Sequence, residues 1–280
     1  AVHCYLRAGE KILIPNLSWW YYKSVAAEVN GITIEYPIKE GAESYSYDVP
    51  GIVELTRAEK PRILIIASPN NPTGHSLPLE DLRTVLDESG ETLIVLDEAY
   101  RGFSENQFGE LPDFFRMYDN LLILRTFSKF YALAGVRIGY ACAGRNLHRL
   151  VKFSARYLGY NLLSEKLALA ALDSTSYYAE LRAEMIRERD KYTEELRALP
   201  GWKPYHSDAN FLLVRVPEDT TAALRLWLEK KGIAVKFFNE ESLRDRIRIT
   251  IGREDQNRIL LDALKEFAEL LQHAQSAVPR

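Results

Sequence analysis

Four polar clusters, three of them following short apolar runs, carry the chemistry open to this chain. Ser68-Pro69-Asn70-Asn71-Pro72-Thr73-Gly74 follows Ile63–Ala67. Two prolines and a glycine force a turn there, and Asn71 can aim its amide over the end of the run. Asp97-Glu98-Ala99-Tyr100 follows Leu93–Leu96. A carboxylate just past a buried strand is costly unless something cationic meets it. Thr126-Phe127-Ser128-Lys129 follows Leu121–Leu124, with Gly135, Arg137 and Gly139 close behind. Hydroxyls and an arginine suit a phosphate, and a partly desolvated lysine suits a Schiff base with a carbonyl compound. Arg137 sits among Leu133, Val136, Ile138 and Tyr140, so an anionic partner is expected for it. In Arg246-Ile247-Arg248-Ile249-Thr250-Ile251-Gly252, period-two alternation puts Arg246, Arg248 and Thr250 on one face. Taken singly, each cluster also reads as ordinary structure: a loop, an ion pair or helix cap, a solvated basic loop, a polar outer strand face.

The elements behind these clusters follow a pattern. Ile12–Pro15, Ile32–Tyr36, Ile63–Ala67, Leu93–Leu96, Leu121–Leu124 and Ile138–Cys142 are apolar on successive positions. That texture predicts strands covered on both faces, as in a mainly parallel sheet. Segments such as Tyr22–Asn30 and Leu79–Glu88 are long enough to be crossover helices. The expected fold is therefore α/β, a doubly wound and mainly parallel sheet with ligands at the carboxyl ends of its strands. Beyond about residue 160 the texture changes. Tyr178, Leu181, Met185, Tyr192, Leu196 and Leu199 mark a long amphipathic helix ending at Pro200. Strand candidates Phe211–Arg215, Ile233–Lys236 and Ile247–Ile251 enclose a helix near Thr221–Lys230, and a last helix carries Leu260, Leu264, Phe267 and Leu271. This grouping predicts a large domain over residues 1–172 and a smaller α+β domain over 173–280.

Composition narrows the function classes. The 280 residues hold 36 Lys+Arg against 39 Asp+Glu, a formal net charge of −3, too balanced for a nucleic-acid scaffold. Only two cysteines occur, Cys4 and Cys142, with no zinc-like spacing, so neither a disulfide scaffold nor a metal site is expected. No apolar run approaches a membrane span and no signal-peptide layout opens the chain, so the expected setting is cytoplasmic, away from membranes.

Taken together and in order, Ser-Pro-Asn-Asn-Pro-Thr-Gly, Asp-Glu-Ala-Tyr, Ser-Lys with Arg137 eight residues past Lys129, and Arg-Ile-Thr-Ile-Gly resemble the fold-type I pyridoxal-phosphate aminotransferases. Within them the chain is most similar to the histidinol-phosphate aminotransferase group of amino-acid biosynthesis. The resemblance implies that Lys129 links to pyridoxal 5'-phosphate and later carries the proton, and that Asp97 pairs with the ring nitrogen. It further implies that Asn71 and Tyr100 bond the ring hydroxyl, and that Thr126, Ser128 and Arg137 hold the phosphate. Arg248 would grip the substrate α-carboxylate, with Asn210 close to it. Pro15–Tyr22 matches the segment that brings an aromatic over the cofactor ring, through Trp19 or Trp20. Family members place the active site at a subunit interface, so a homodimer is expected.

Two features depart from the family pattern. Family chains carry a further segment ahead of the point matching Ala1, with a phosphate-binding turn and an arm to the partner subunit. This sequence starts without Met, and that part is expected to be missing from it. Lys236 stands where histidinol-phosphate enzymes place an arginine on the substrate phosphate, and lysine meets phosphate without the fork. The leading expectation is transfer of an amino group from an L-amino acid or amino-phosphate donor to a 2-oxo acid. A decarboxylase or lyase of the threonine-phosphate decarboxylase kind would use the same Lys129 and Asp97. A non-catalytic fragment or regulatory module of the same fold is the third reading. Among the histidines, His75 follows the Asn71–Gly74 turn, where a surface role is favoured over one in the site.

Overall fold

Branched apolar side chains pack well on a pleated surface, and where successive positions are apolar both faces need cover. The computed structural model describes residues 1–104, 111–150 and 161–276. Its first half contains β1 (Lys11–Pro15), β2 (Ile32–Tyr36), β3 (Ile38–Glu40), β4 (Tyr45–Tyr47), β5 (Ile63–Ala67), β6 (Leu93–Asp97), β7 (Leu121–Thr126) and β8 (Gly139–Ala143). Six of these form one sheet in the order β2-β1-β5-β6-β7-β8, parallel except for the antiparallel pair β7–β8. Helices α1 (Val2–Tyr5), α2 (Tyr21–Glu28), α3 (Val49–Glu59), α4 (Leu79–Glu88) and α5 (Leu111–Met117) accompany it. Alternate strand residues point to opposite sides. Ile12, Ile14, Ile63, Ile65 and Val95 pack with Tyr22 and Ala26 of α2, while Leu13, Leu64, Ile66, Ile94 and Leu96 pack with Ile52 of α3 and Leu82 and Val85 of α4.

Register brings the chemistry to one edge. Ala67 lies opposite Asp97, and Asp97 opposite Leu124, so the turns after β5, β6 and β7 emerge side by side. The turn after β1 joins them across the point where strand order reverses, the usual ligand position in such sheets.

The second half holds α6 (Leu162–Asp173), α7 (Thr175–Arg197), β9 (Lys203–Pro204), β10 (Phe211–Arg215), α8 (Thr221–Lys230), β11 (Lys236–Phe237), β12 (Arg246–Thr250) and α9 (Glu254–Ser276). The four strands make an antiparallel sheet, β11-β12-β10-β9. Its core joins Tyr192 and Leu196 of α7, Leu224 and Leu228 of α8, and Leu264 and Phe267 of α9 to Ile247 and Ile249. Tyr205, Leu213 and Leu243 pack instead into the first sheet's core, which ties the two halves together.

Three strand expectations are corrected. Ile138–Cys142 is not covered on both faces: β8 is an antiparallel edge strand with Gly139, Tyr140, Ala141 and Ala143 exposed. Likewise β2 is an edge strand, and only Tyr36 on it is fully buried. Apolar composition fixes neither the direction of a strand nor its number of neighbours. The candidate Ile233–Lys236 begins later, at Lys236, because the Ile233 amide closes the end of α8 by donating to the Leu228 carbonyl at 2.9 Å. The hairpin β3–β4 has no counterpart in the sequence reading, since three residues a side are too few for a pattern.

Candidate active site

A cleft of about 670 Å³ opens at the carboxyl edge of the large sheet and reaches β11 and β12. Of the residues singled out from sequence, Trp19, Trp20, Asn71, Asp97, Tyr100, Thr126, Ser128, Lys129, Arg137, Lys236 and Arg248 all line it. Asn210 is not among its lining residues, and its backbone carbonyl accepts from the Ile251 amide at 2.8 Å.

The end of β6 delivers Asp97. Its Oδ2 accepts from the Tyr22 hydroxyl at 2.7 Å and its Oδ1 from the Ala99 amide at 3.0 Å. Burial pushes the Asp97 pKa above the usual carboxylate value, against those two donors and the charge of Lys129. No cation forms an ion pair with it among the described residues, so the expected cationic partner is replaced by a phenol and an amide. Tyr22 was not singled out from the sequence as a partner for Asp97. Its one signal is its place in α2 just behind Trp19, whose ring it meets edge-on at 5.9 Å.

The turn after β7 presents the hydroxyls and the amine. The Ser128 amide donates to Thr126 Oγ1 at 3.0 Å, and the Ala132 amide to the Lys129 carbonyl at 2.9 Å. This tight path exposes the Lys129 side chain, whose ammonium lies 5.3 Å from the centre of the Tyr100 ring. Arg137 departs from expectation: it is exposed, and the one bond found for it among the described residues runs to the Ala134 carbonyl at 3.1 Å. Its backbone is left-handed, with φ 51°, which turns the side chain out of the apolar run.

Arg248 comes from the small sheet. It donates to the Asn71 side-chain oxygen and stacks over Phe211, 5.0 Å from the ring centre. Tyr100 meets the same Phe211 ring edge-on at 5.1 Å, a contact that the sequence did not reveal. Burial lowers the Arg248 pKa, and its buried Nε has no partner. Lys236 lies directly opposite Arg248 in the ladder, so both side chains leave the same face.

The loop of Asn71 is held from beneath. Asn70 is fully buried and donates to the Leu17 carbonyl at 2.8 Å and to Thr73 Oγ1 at 2.6 Å. Gly74 has φ 78°, and a Cβ there would come within 2.4 Å of the Ser207 hydroxyl, so only glycine fits. His75 corrects the surface reading: it is buried beside Tyr47, and burial pushes its pKa down to about 3. A two-proline turn looks exposed in sequence, yet here Ser207 and Asp208 pack against it.

Residues 1–264 match the family Aminotransferase class I and II. The histidinol-phosphate aminotransferase of Ruminiclostridium cellulolyticum is 36% identical over 264 residues, which span 93% of this chain and 71% of that one. The crystal structure of the histidinol-phosphate aminotransferase from Clostridium acetobutylicum is similar with a TM-score of 0.85 at 26% identity, over 93% of this chain and 78% of that chain. The L-threonine-O-3-phosphate decarboxylase of Porphyromonas gingivalis is similar with a TM-score of 0.78 at 24% identity, over 93% of this chain and 78% of that chain, a likeness of fold alone.

Proposed function

The chain belongs to the aminotransferase class I and II family and is a pyridoxal-phosphate-dependent aminotransferase, and on that premise we propose that it takes an amino-phosphate donor of the histidinol-phosphate kind and a 2-oxo acid acceptor. The residues of the cleft fit the cofactor. A carboxylate without a paired cation, an exposed lysine and a guanidinium with an orphaned buried Nε all open into one space. Lys129 would bind the aldehyde and Asp97 the ring nitrogen. Asn71 and Tyr100 would bond the ring hydroxyl, Thr126, Ser128 and Arg137 the phosphate, and Trp19 or Trp20 would cover the ring. When bound, the cofactor supplies an electron-withdrawing ring and a carbonyl that takes up amines.

The chain's own groups do the rest. Asp97, fixed by Tyr22 and Ala99, holds a proton at the ring nitrogen. Lys129 Nζ would move a proton at the substrate carbon. Arg248 binds the α-carboxylate, or the group in its place, as a fork. The single observation that carries the reading is this convergence of Lys129, Asp97 and Arg248 from two sheets on one cleft.

Three coarser matters belong to the same proposal. A division into a cofactor domain, 1–172, and a small domain, 173–280, is supported by the break at Ser174, one residue beyond that boundary, between α6 and α7. Exposed Leu162, Leu163, Leu169 and Tyr177 support a homodimer, since apolar surface of that kind seeks cover. Two unpaired cysteines fit a reducing, cytoplasmic setting. The test of function is Lys129→Ala. It should abolish turnover and the visible absorbance of covalently held cofactor while leaving the thermal unfolding midpoint in place. Retained absorbance would mean that another lysine is the anchor.

A further inference from the structure

The cleft is strongly cationic. Arg125, Lys129, Arg137, Lys236 and Arg248 line it, against two acids among the described residues, Asp97 and Glu240. Asp97 has the function argued above. Arg125 is committed to Glu98, with Nε 2.7 Å from its carboxylate. Glu240 has no assignment and is the other half of this imbalance.

Glu240 precedes the short helical turn Glu241–Leu243, four residues after Lys236. The one bond found for its carboxylate is from the neighbouring Asn239 amide, 3.0 Å from Oε2. It is exposed and forms no ion pair among the described residues, although five cations line the same cleft. Glu40, also near the small sheet, is differently placed: it is bonded by Lys203, Arg215 and Arg246. An acceptor left open beside Lys236 opposes any ligand that is only an anion, and favours one that also offers an N–H. Aromatic side chains suited to a planar ring share the cleft: Phe238, two residues away, with Trp19, Trp20 and Tyr100.

Resting on the donor reading above, we propose that Glu240 is a specificity-determining residue, accepting an N–H from a nitrogen-bearing ring on the donor and repelling donors whose side chain ends in an anion alone. Phosphate alone would be drawn by Lys236 and Arg248; Glu240 converts that general attraction into a choice.

The test is Glu240→Gln in the holoenzyme, with histidinol phosphate as donor and O-phospho-L-serine as competitor. Removing the charge should raise KM for histidinol phosphate roughly three- to tenfold, with kcat moving less, the range of one charge-assisted bond at a wet rim. The same change should lower the inhibition constant of O-phospho-L-serine. Glu240→Asp keeps the charge and should leave the competitor weak. Opposite shifts for the two ligands support the proposal. Shifts in one direction, or none, overturn it and make Glu240 a solvated rim residue. If the wild-type enzyme does not turn over histidinol phosphate, the donor reading fails, and the competitor arm still decides the role of Glu240: an unchanged inhibition constant overturns it.

Discussion

Asp97 and Glu98 are consecutive carboxylates at the end of β6, and they face different regions. Glu98 is fully buried beside a cavity of about 400 Å³, where Arg101 reaches it at 2.6 Å and Arg125 at 2.7 Å. Asp97 faces the larger cleft, and among the described residues a phenol and an amide are bonded to it. The same division recurs on β12. Arg246 is bonded to the Ser242 carbonyl and to two carboxylates, Asp245 and, at 2.6 Å, Glu40, whereas Arg248 has the neutral Asn71 and no carboxylate among the described residues; the Nε of each is buried without a partner. In the turn after β5, Asn70 is buried and spends its amide nitrogen on the Leu17 carbonyl and Thr73, although its Oδ1 has no partner, and Asn71 lines the cleft. In the two charged pairs, one member meets opposite charge inside the protein, and its neighbour in the cleft meets only neutral partners among the described residues, so that a ligand can complete it. Such sites trade stability for function.

Substitutions at the two members of a pair should therefore fail differently. Asp97→Asn should lower kcat at least a thousandfold, about 4 kcal/mol of barrier, because an amide no longer holds a proton on the ring nitrogen. Steady-state kinetics within about tenfold of wild type, about 1.4 kcal/mol, would break the comparison on the cleft side. Glu98→Gln should instead cost about 3 kcal/mol of stability, since two guanidinium groups lose their buried counter-charge. Urea unfolding reads that loss, and a variant as stable as wild type would break the comparison on the other side. Arg248→Lys removes the fork and should lower kcat/KM for donor and 2-oxo acid alike by roughly ten- to a hundredfold, about 1.5–3 kcal/mol. Loss for one substrate only would confine Arg248 to one half-reaction.

The sequence revealed more of the cleft than of what holds it. Asp97, Lys129 and Asn71 were legible because each follows an apolar run with the texture of a covered strand, and Arg248 because it sits in a strand of period two. Arg101 lies three residues from Glu98, but Arg125 reaches it only through the pairing of β6 with β7. Glu40 is 206 residues from Arg246, on a hairpin too short to leave a periodic trace. Tyr22 is 75 residues from Asp97, and nothing in its neighbourhood says that its hydroxyl turns inward. Period two put Arg246 and Arg248 on one strand face, yet burial separates them: Arg246 is 6% exposed and Arg248 remains partly open. Local pattern placed the groups, and long-range pairing decided which of them are satisfied.

The most direct measurement is the stability of the cofactor-free protein and its Asp97→Asn variant, by urea unfolding between about pH 4 and pH 8. Burial raises the pKa of Asp97 in the fold above its unfolded value, about 4. The folded state then holds the proton longer than the unfolded state, so ionisation of Asp97 opposes folding. The penalty grows as pH rises from the unfolded value through the raised one, and is complete above it. Asn at this position has no such penalty. The variant should match or exceed wild type at pH 8, with the gap closing as pH falls toward 4. A variant clearly less stable than wild type at pH 8 would make Asp97 a structural charge like Glu98, and would contradict the division between the two sides of β6.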